Sequence, residues 1–92
     1  MNRMTREFEK GRFCVDEGMV KHSDNCYIGP AIDKLARFEN MQYDLLAKLM
    51  EISQELEKLR GEGKTRSVEF KQLLATKMVN SNILIMLKTY GL

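Results

Sequence analysis

Cys14, His22 and Cys26, all in the first third of the chain, carry the atoms that bind soft metal ions. A structural zinc needs four nitrogen or sulfur ligands, and there is one His in the whole sequence. Asp16 or Asp24 would have to be the fourth ligand, and the spacing matches no common finger. Reduced cysteines acting as small apolar side chains are expected instead, with no metal. Gly61-Glu-Gly-Lys64-Thr65 imitates the end of a phosphate-binding loop. That motif needs a Gly five positions before Gly63, where Lys58 stands, and a strand rather than a helix before it. A turn between helices is expected there. Carboxylates are plentiful, but none has a general acid–base partner, and no nucleophile stands in a recognisable set. The chain therefore reads as non-enzymatic, with no catalytic residue and no cofactor.

Two further groups could bind rather than react. Arg3, Arg6 and Arg12 stand among Phe13 and Tyr27. Guanidinium groups clamp phosphates and aromatic rings stack on bases, so these five are candidate contacts to a nucleotide or a partner. Residues 71–92 resemble a helix–turn–helix, with Gln72 to Ala75 in the first helix, Val79-Asn80 at the turn and Ser81 to Tyr90 in the second. Lys71, Lys77, Asn82 and Lys88 would then touch nucleic acid. A recognition helix must show polar groups to base edges, and this one is filled by Ile83-Leu84-Ile85-Met86-Leu87. A buried helix or an oligomer contact fits that run better.

These residues must be held by three segments. Residues 3–28 mix aromatics with Gly11, Gly18 and Ser23-Asp24-Asn25, which reads as short strands near 6–9, 12–15 and 25–28 joined by turns. Gly29-Pro30 opens a segment free of Gly and Pro as far as Arg60. Pro suits the first helical turn, where its missing N–H would be unpaired anyway. Ala31, Leu35, Phe38, Gln42, Leu45, Leu49, Ile52, Leu56 and Leu59 then follow at alternating steps of four and three. That is a heptad seam on one helix, 30–60, about 45 Å long. Gln42 interrupts it with a polar group that can fix register. Gly61-Glu62-Gly63 stops the helix, and Thr65 or Ser67 can cap the next. In the C-terminal segment, 66–90, Asn80-Ser81-Asn82 is a polar interruption, either a break with a fresh cap or a tolerated kink; the reading adopted is helices 66–79 and 82–90, with Gly91 ending the second.

Ninety-two residues allow one small domain, and a core this size is marginal unless helices pack well or chains associate. The net charge of +2 lacks the footprint of a polyanion binder. Its excess lies at the end: residues 62–92 hold five basic groups but only Glu62 and Glu69. With no apolar run of membrane length and no apolar leader, a cytoplasmic protein is expected, with no membrane partner. The fold class expected is mainly α (α+β): a single domain, 1–92, in which the long helix packs on two shorter C-terminal helices beneath a small β-hairpin-like cap. A homodimer would cover the rest of the seam.

The segment Tyr27-Ile-Gly-Pro-Ala-Ile-Asp-Lys-Leu-Ala-Arg-Phe-Glu39 resembles a helix start found in small phage and prophage accessory proteins of Gram-positive bacteria. Ala31, Ile32, Asp33, Leu35, Ala36, Phe38 and Glu39 carry the likeness, and residues 3–26 share it loosely. No catalytic residue comes with it. It implies a viral gene product that binds a host protein or signal. The expectation is an inhibitor of a bacterial defence component, such as a CRISPR effector. A sponge for a nucleotide immune signal and a small DNA-binding regulator are the alternatives.

Overall fold

The computed structural model describes residues 2–92. Four short strands come first: β1 (Thr5–Glu9), β2 (Arg12–Val15), β3 (Lys21–Ser23) and β4 (Cys26–Ile28). Two helices follow, α1 (Pro30–Gly61) and α2 (Val68–Thr89). The chain is thus mainly helical with two small antiparallel strand pairs, β1–β2 and β3–β4. By its contacts it divides into two compact units, Met1–Asn40 and Met41–Leu92, and α1 contributes residues to both.

In the first unit each hairpin is set by its turn. Asp24 and Asn25 have φ of +40° and +62°. Two successive left-handed residues make the tight turn whose twist suits paired strands, and Asp and Asn tolerate that conformation better than most side chains. This turn draws Lys21–Ser23 into β3 against Cys26–Ile28, although Lys21-His22-Ser23 has no apolar alternation to announce a strand. In the β1–β2 ladder the register shifts between Glu7 and Glu9, leaving Phe8 as the extra residue of a bulge. Gly29 leads into α1 with φ of +134°, and its carbonyl accepts from the Asp33 amide at 2.9 Å. A Cβ at this position would lie 2.5 Å from the Met19 carbonyl oxygen, so both the dihedral and the space require Gly.

In the second unit, α1 ends and α2 begins through paired backbone devices. The Gly63 amide donates to the Arg60 carbonyl at 3.0 Å and the Lys64 amide to Leu59 at 2.8 Å, with Gly63 left-handed at φ of +71°. That is a Schellman stop, which satisfies carbonyls orphaned at a helix end. Three residues on, the Ser67 hydroxyl accepts from the Phe70 amide at 3.1 Å and caps α2. Beside this turn lies the core: Ile52, Leu56, Leu59 and Phe70 are buried, and Leu73 packs against them.

Residues 66–90 do not form two helices. α2 runs without interruption from Val68 to Thr89, straight through Asn80-Ser81-Asn82. Neither Asn nor Ser breaks a helix as Gly or Pro does, and no Gly or Pro lies between Gly63 and Gly91. The helix ends with a second Schellman stop, in which the Leu92 amide donates to Leu87 at 3.1 Å and Gly91 has φ of +80°.

Candidate interaction surface

The first unit carries its aromatic side chains in the open. Phe8, Phe13, Tyr27 and Ile28 are each roughly half exposed or more, and every residue of β1 is exposed. Both rings of the first hairpin carry an arginine. The Arg3 guanidinium lies 5.4 Å from the centre of Phe13, and Arg12 lies 5.7 Å from the centre of Phe8. A cation over a ring face is attracted by the ring's quadrupole, and each such pair holds a flat, rigid group at the surface. On the second hairpin His22 meets Tyr27 edge to face at 5.1 Å.

The arginines differ in what they can offer a ligand. Arg6 donates through Nε to Asp16 at 3.1 Å, and this bond raises the guanidinium pKa above its ordinary value. Arg12 pairs with Glu9 at 3.6 Å. Arg3 donates its Nε to the Thr5 hydroxyl at 3.2 Å. A shallow depression of about 440 Å³ is bordered by Arg3, Thr5, Arg6, Glu7 and Phe13. The Glu7 carboxylate in that border, together with Asp16 on Arg6, opposes a phosphate. The depression therefore suits a partner of mixed charge better than an anion.

A second groove of the first unit, about 310 Å³, has an apolar floor of Met4, Val15, Ala31, Leu35 and Phe38 with Arg3 and Lys34 at its edge. Lys34 donates to the Asn2 carbonyl at 3.2 Å. Leu35 is half exposed here, whereas Phe38 is partly covered. Further along α1, Gln42, Leu45 and Leu49 are partly covered, and only Ile52, Leu56 and Leu59 are buried.

The metal-type residues are engaged otherwise. Cys14 pairs with Arg6 in the β1–β2 ladder, and the Cys26 thiol donates to the Ser23 carbonyl at 2.9 Å. Among the described residues no group of three His, Cys, Asp or Glu side chains is placed to hold a metal ion. At Gly61–Thr65 the amides of Glu62, Gly63 and Lys64 donate to the carbonyls of Lys58, Arg60 and Leu59, so none of the three is free to cradle a phosphate.

The helix–turn–helix arrangement of 71–92 is absent, because α2 is continuous where its turn would fall. By helical spacing Lys77 and Lys88 share one side of α2, and Lys71 and Asn82 share another. Lys77 is partly covered and borders a groove toward α1. Sequence spacing does not indicate the pairing of arginines with phenylalanines, since it depends on strand register and on the bulge at Phe8. Among the described residues no helix is long and apolar enough to cross a membrane. No protein-family model, curated protein or solved structure matches the chain.

Proposed function

We propose that this chain is a non-catalytic binding protein that docks on a partner protein through the arginine–aromatic surface of its two strand hairpins. The observation that carries the reading is the pairing of Arg3 with Phe13 and of Arg12 with Phe8 at an exposed surface. Arginine and large aromatic side chains are enriched among the residues that dominate protein interfaces, the rings because they bury much area at little conformational cost and arginine because its planar fork makes several hydrogen bonds at once. The half-exposed Tyr27 and Ile28 extend the same composition onto the second hairpin.

The partner we infer is a component of bacterial immunity, such as a CRISPR effector, with the chain acting as a phage product in the host cytoplasm. The likeness of residues 27–39 to phage accessory proteins supports this context. An inhibitor of that kind needs only a surface, which agrees with the dispersed side chains. The heptad seam, from Leu45 through Leu59, serves in this reading as the spine against which α2 packs.

A nucleotide sponge built on Arg3, Arg6, Arg12, Phe13 and Tyr27 ranks second, favoured by the depression between Arg3 and Phe13 and opposed by the acids beside it. Retention of host proteins on the immobilised chain separates the two. The protein reading expects a defence component that the wild type retains and a Phe13→Ala, Arg12→Ala variant loses. Equal retention by both, together with a thermal shift on adding cyclic nucleotides, would favour the sponge.

A further inference from the structure

The two depressions of the first unit share Arg3 and Thr5 but differ in charge. The one beside Phe13 has Glu7 in its border, whereas the groove over the start of α1 has no acidic residue in its lining. The floor of that groove is apolar. Ala31, Leu35 and Phe38 follow at steps of four and three, which puts them on one side of α1, and Met4 and Val15 complete the floor. Leu35 is 53% exposed, so the floor is in contact with water.

Two cations stand at its edge, and both are held by neutral groups. The Arg3 guanidinium is fixed by its Nε bond to the Thr5 hydroxyl and by the Phe13 ring at 5.4 Å. Its two terminal amino groups remain for an acceptor. Lys34 donates one of its N–H groups to the Asn2 carbonyl. Among the described residues neither Arg3 nor Lys34 is in an ion pair, in contrast to Arg6 with Asp16 and Arg12 with Glu9. Asp16, next in sequence to Val15, is engaged by Arg6.

We propose that this groove receives an acidic–apolar segment of the partner protein, with a large apolar side chain on the floor and a neighbouring carboxylate at Arg3 and Lys34. The inference rests on the reading that the partner is a protein. Charge complementarity selects the occupant. Two uncompensated cations repel a basic segment and give a carboxylate charge-assisted hydrogen bonds that a neutral segment cannot make. A planar guanidinium set on a ring presents its donors in the fork that matches a carboxylate. A small anionic amphiphile fits less well, because small-molecule pockets enclose most of their ligand and this floor is open at Leu35. Arg3 belongs both to the groove and to the pair with Phe13, so the segment would continue the docking surface of the first hairpin.

Selection from a random peptide display library on the immobilised full chain tests this without the partner in hand. Enriched peptides should combine Leu, Ile, Met or Phe with Asp or Glu a few positions away. One of them, synthesised with a fluorescent label, is then titrated and read by polarisation. Lys34→Glu should weaken its binding by about tenfold or more, because a like charge then faces the carboxylate. Leu35→Glu, which puts a carboxylate on the floor, should weaken it as much. Lys48→Glu makes the same change of net charge in the second unit and should leave it unchanged. Far-ultraviolet circular dichroism checks the helices, and Lys34→Gln, with an expected loss of about threefold, replaces any charge reversal that unfolds. Enrichment of basic or uncharged peptides, no enrichment at all, or wild-type affinity in the folded Lys34 variant would overturn the proposal. Saturable binding of dodecanoate with no peptide enriched would overturn it in favour of an amphiphile. Retention of a host protein by the wild type and its loss by Phe13→Ala, Arg12→Ala test the docking reading separately. That result can hold when no acidic peptide is selected, and the groove can bind its peptide when retention is unchanged.

Discussion

The amide of Lys64 donates to the carbonyl of Leu59 at 2.8 Å, across Gly63, whose left-handed backbone favours glycine over other residues. This one bond turns a run that mimics a phosphate loop into the stop of α1, and it sets where α2 begins. Leu59 sits in the buried cluster with Phe70, so the turn and the core of the second unit are built from adjacent residues.

The first prediction follows from Gly63. Nothing lies within 4 Å of a Cβ placed there, so the cost of Gly63→Ala is that of the backbone alone. A loss of about 1–2 kcal/mol is expected in urea unfolding, the usual penalty for a left-handed alanine. Gly29→Ala should cost more, because the added carbon also meets the Met19 carbonyl oxygen at 2.5 Å. Equal losses for the two variants would contradict the packing described at Gly29.

Burial on α1 predicts an uneven response to truncation. Leu56 is 1% exposed, and Leu56→Ala should destabilise the protein by about 2–5 kcal/mol. Leu35 belongs to the same seam but is 53% exposed, so Leu35→Ala should cost far less. Melting temperatures of the two variants check the order.

The turn also titrates. A hydrogen bond from the Lys64 ammonium at 2.8 Å holds the Glu62 carboxyl below its ordinary pKa and, reciprocally, raises the Lys64 pKa. A carboxylate with a lowered folded pKa contributes stability that is present above its unfolded pKa and lost as the pH falls through the folded one. The contribution is small, because both groups face water. A carbon-detected NMR titration should place the Glu62 carboxyl below the usual glutamate range, and Lys64→Met should return it there.

The arginine–aromatic surface gives a prediction about affinity. For a purified partner, Phe13→Ala should weaken binding by about 2 kcal/mol, roughly thirtyfold, as truncation of an interface anchor does. Arg6→Ala should matter less, because Arg6 is already engaged by Asp16. Calorimetric titration of the two variants against the same partner makes the comparison.

Much of the fold is legible in residue types alone. Gly29-Pro30 marks the start of α1, Gly61-Glu-Gly marks its end, and Ser67 and Gly91 mark the limits of α2, because each supplies a local device that few other residues can. β3 is not legible, since Lys21-His22-Ser23 becomes a strand only through the turn at Asp24-Asn25 and its partner Cys26–Ile28. The polar run Asn80-Ser81-Asn82 reads as a break because side-chain polarity is visible in sequence, whereas backbone continuity depends on the absence of Gly and Pro over the whole span. The seam spacing identifies a face but not what stands opposite it, so Leu35 and Leu56 look equivalent until burial separates them. Of the surface proposed for docking, Arg3, Arg6, Arg12, Phe13 and Tyr27 can be named from residue type. Their pairing depends on register, and Phe8 enters only through the bulge.

The claim that this chain acts by docking on a bacterial defence component is tested most directly by phage plating. The chain is expressed in a Gram-positive host whose CRISPR system targets the infecting phage. The account predicts that the wild type restores plating by several orders of magnitude and that the Phe13→Ala, Arg12→Ala variant, at equal abundance, does not. Plating as low with the wild type as without it, or restored equally by the variant, would contradict the account.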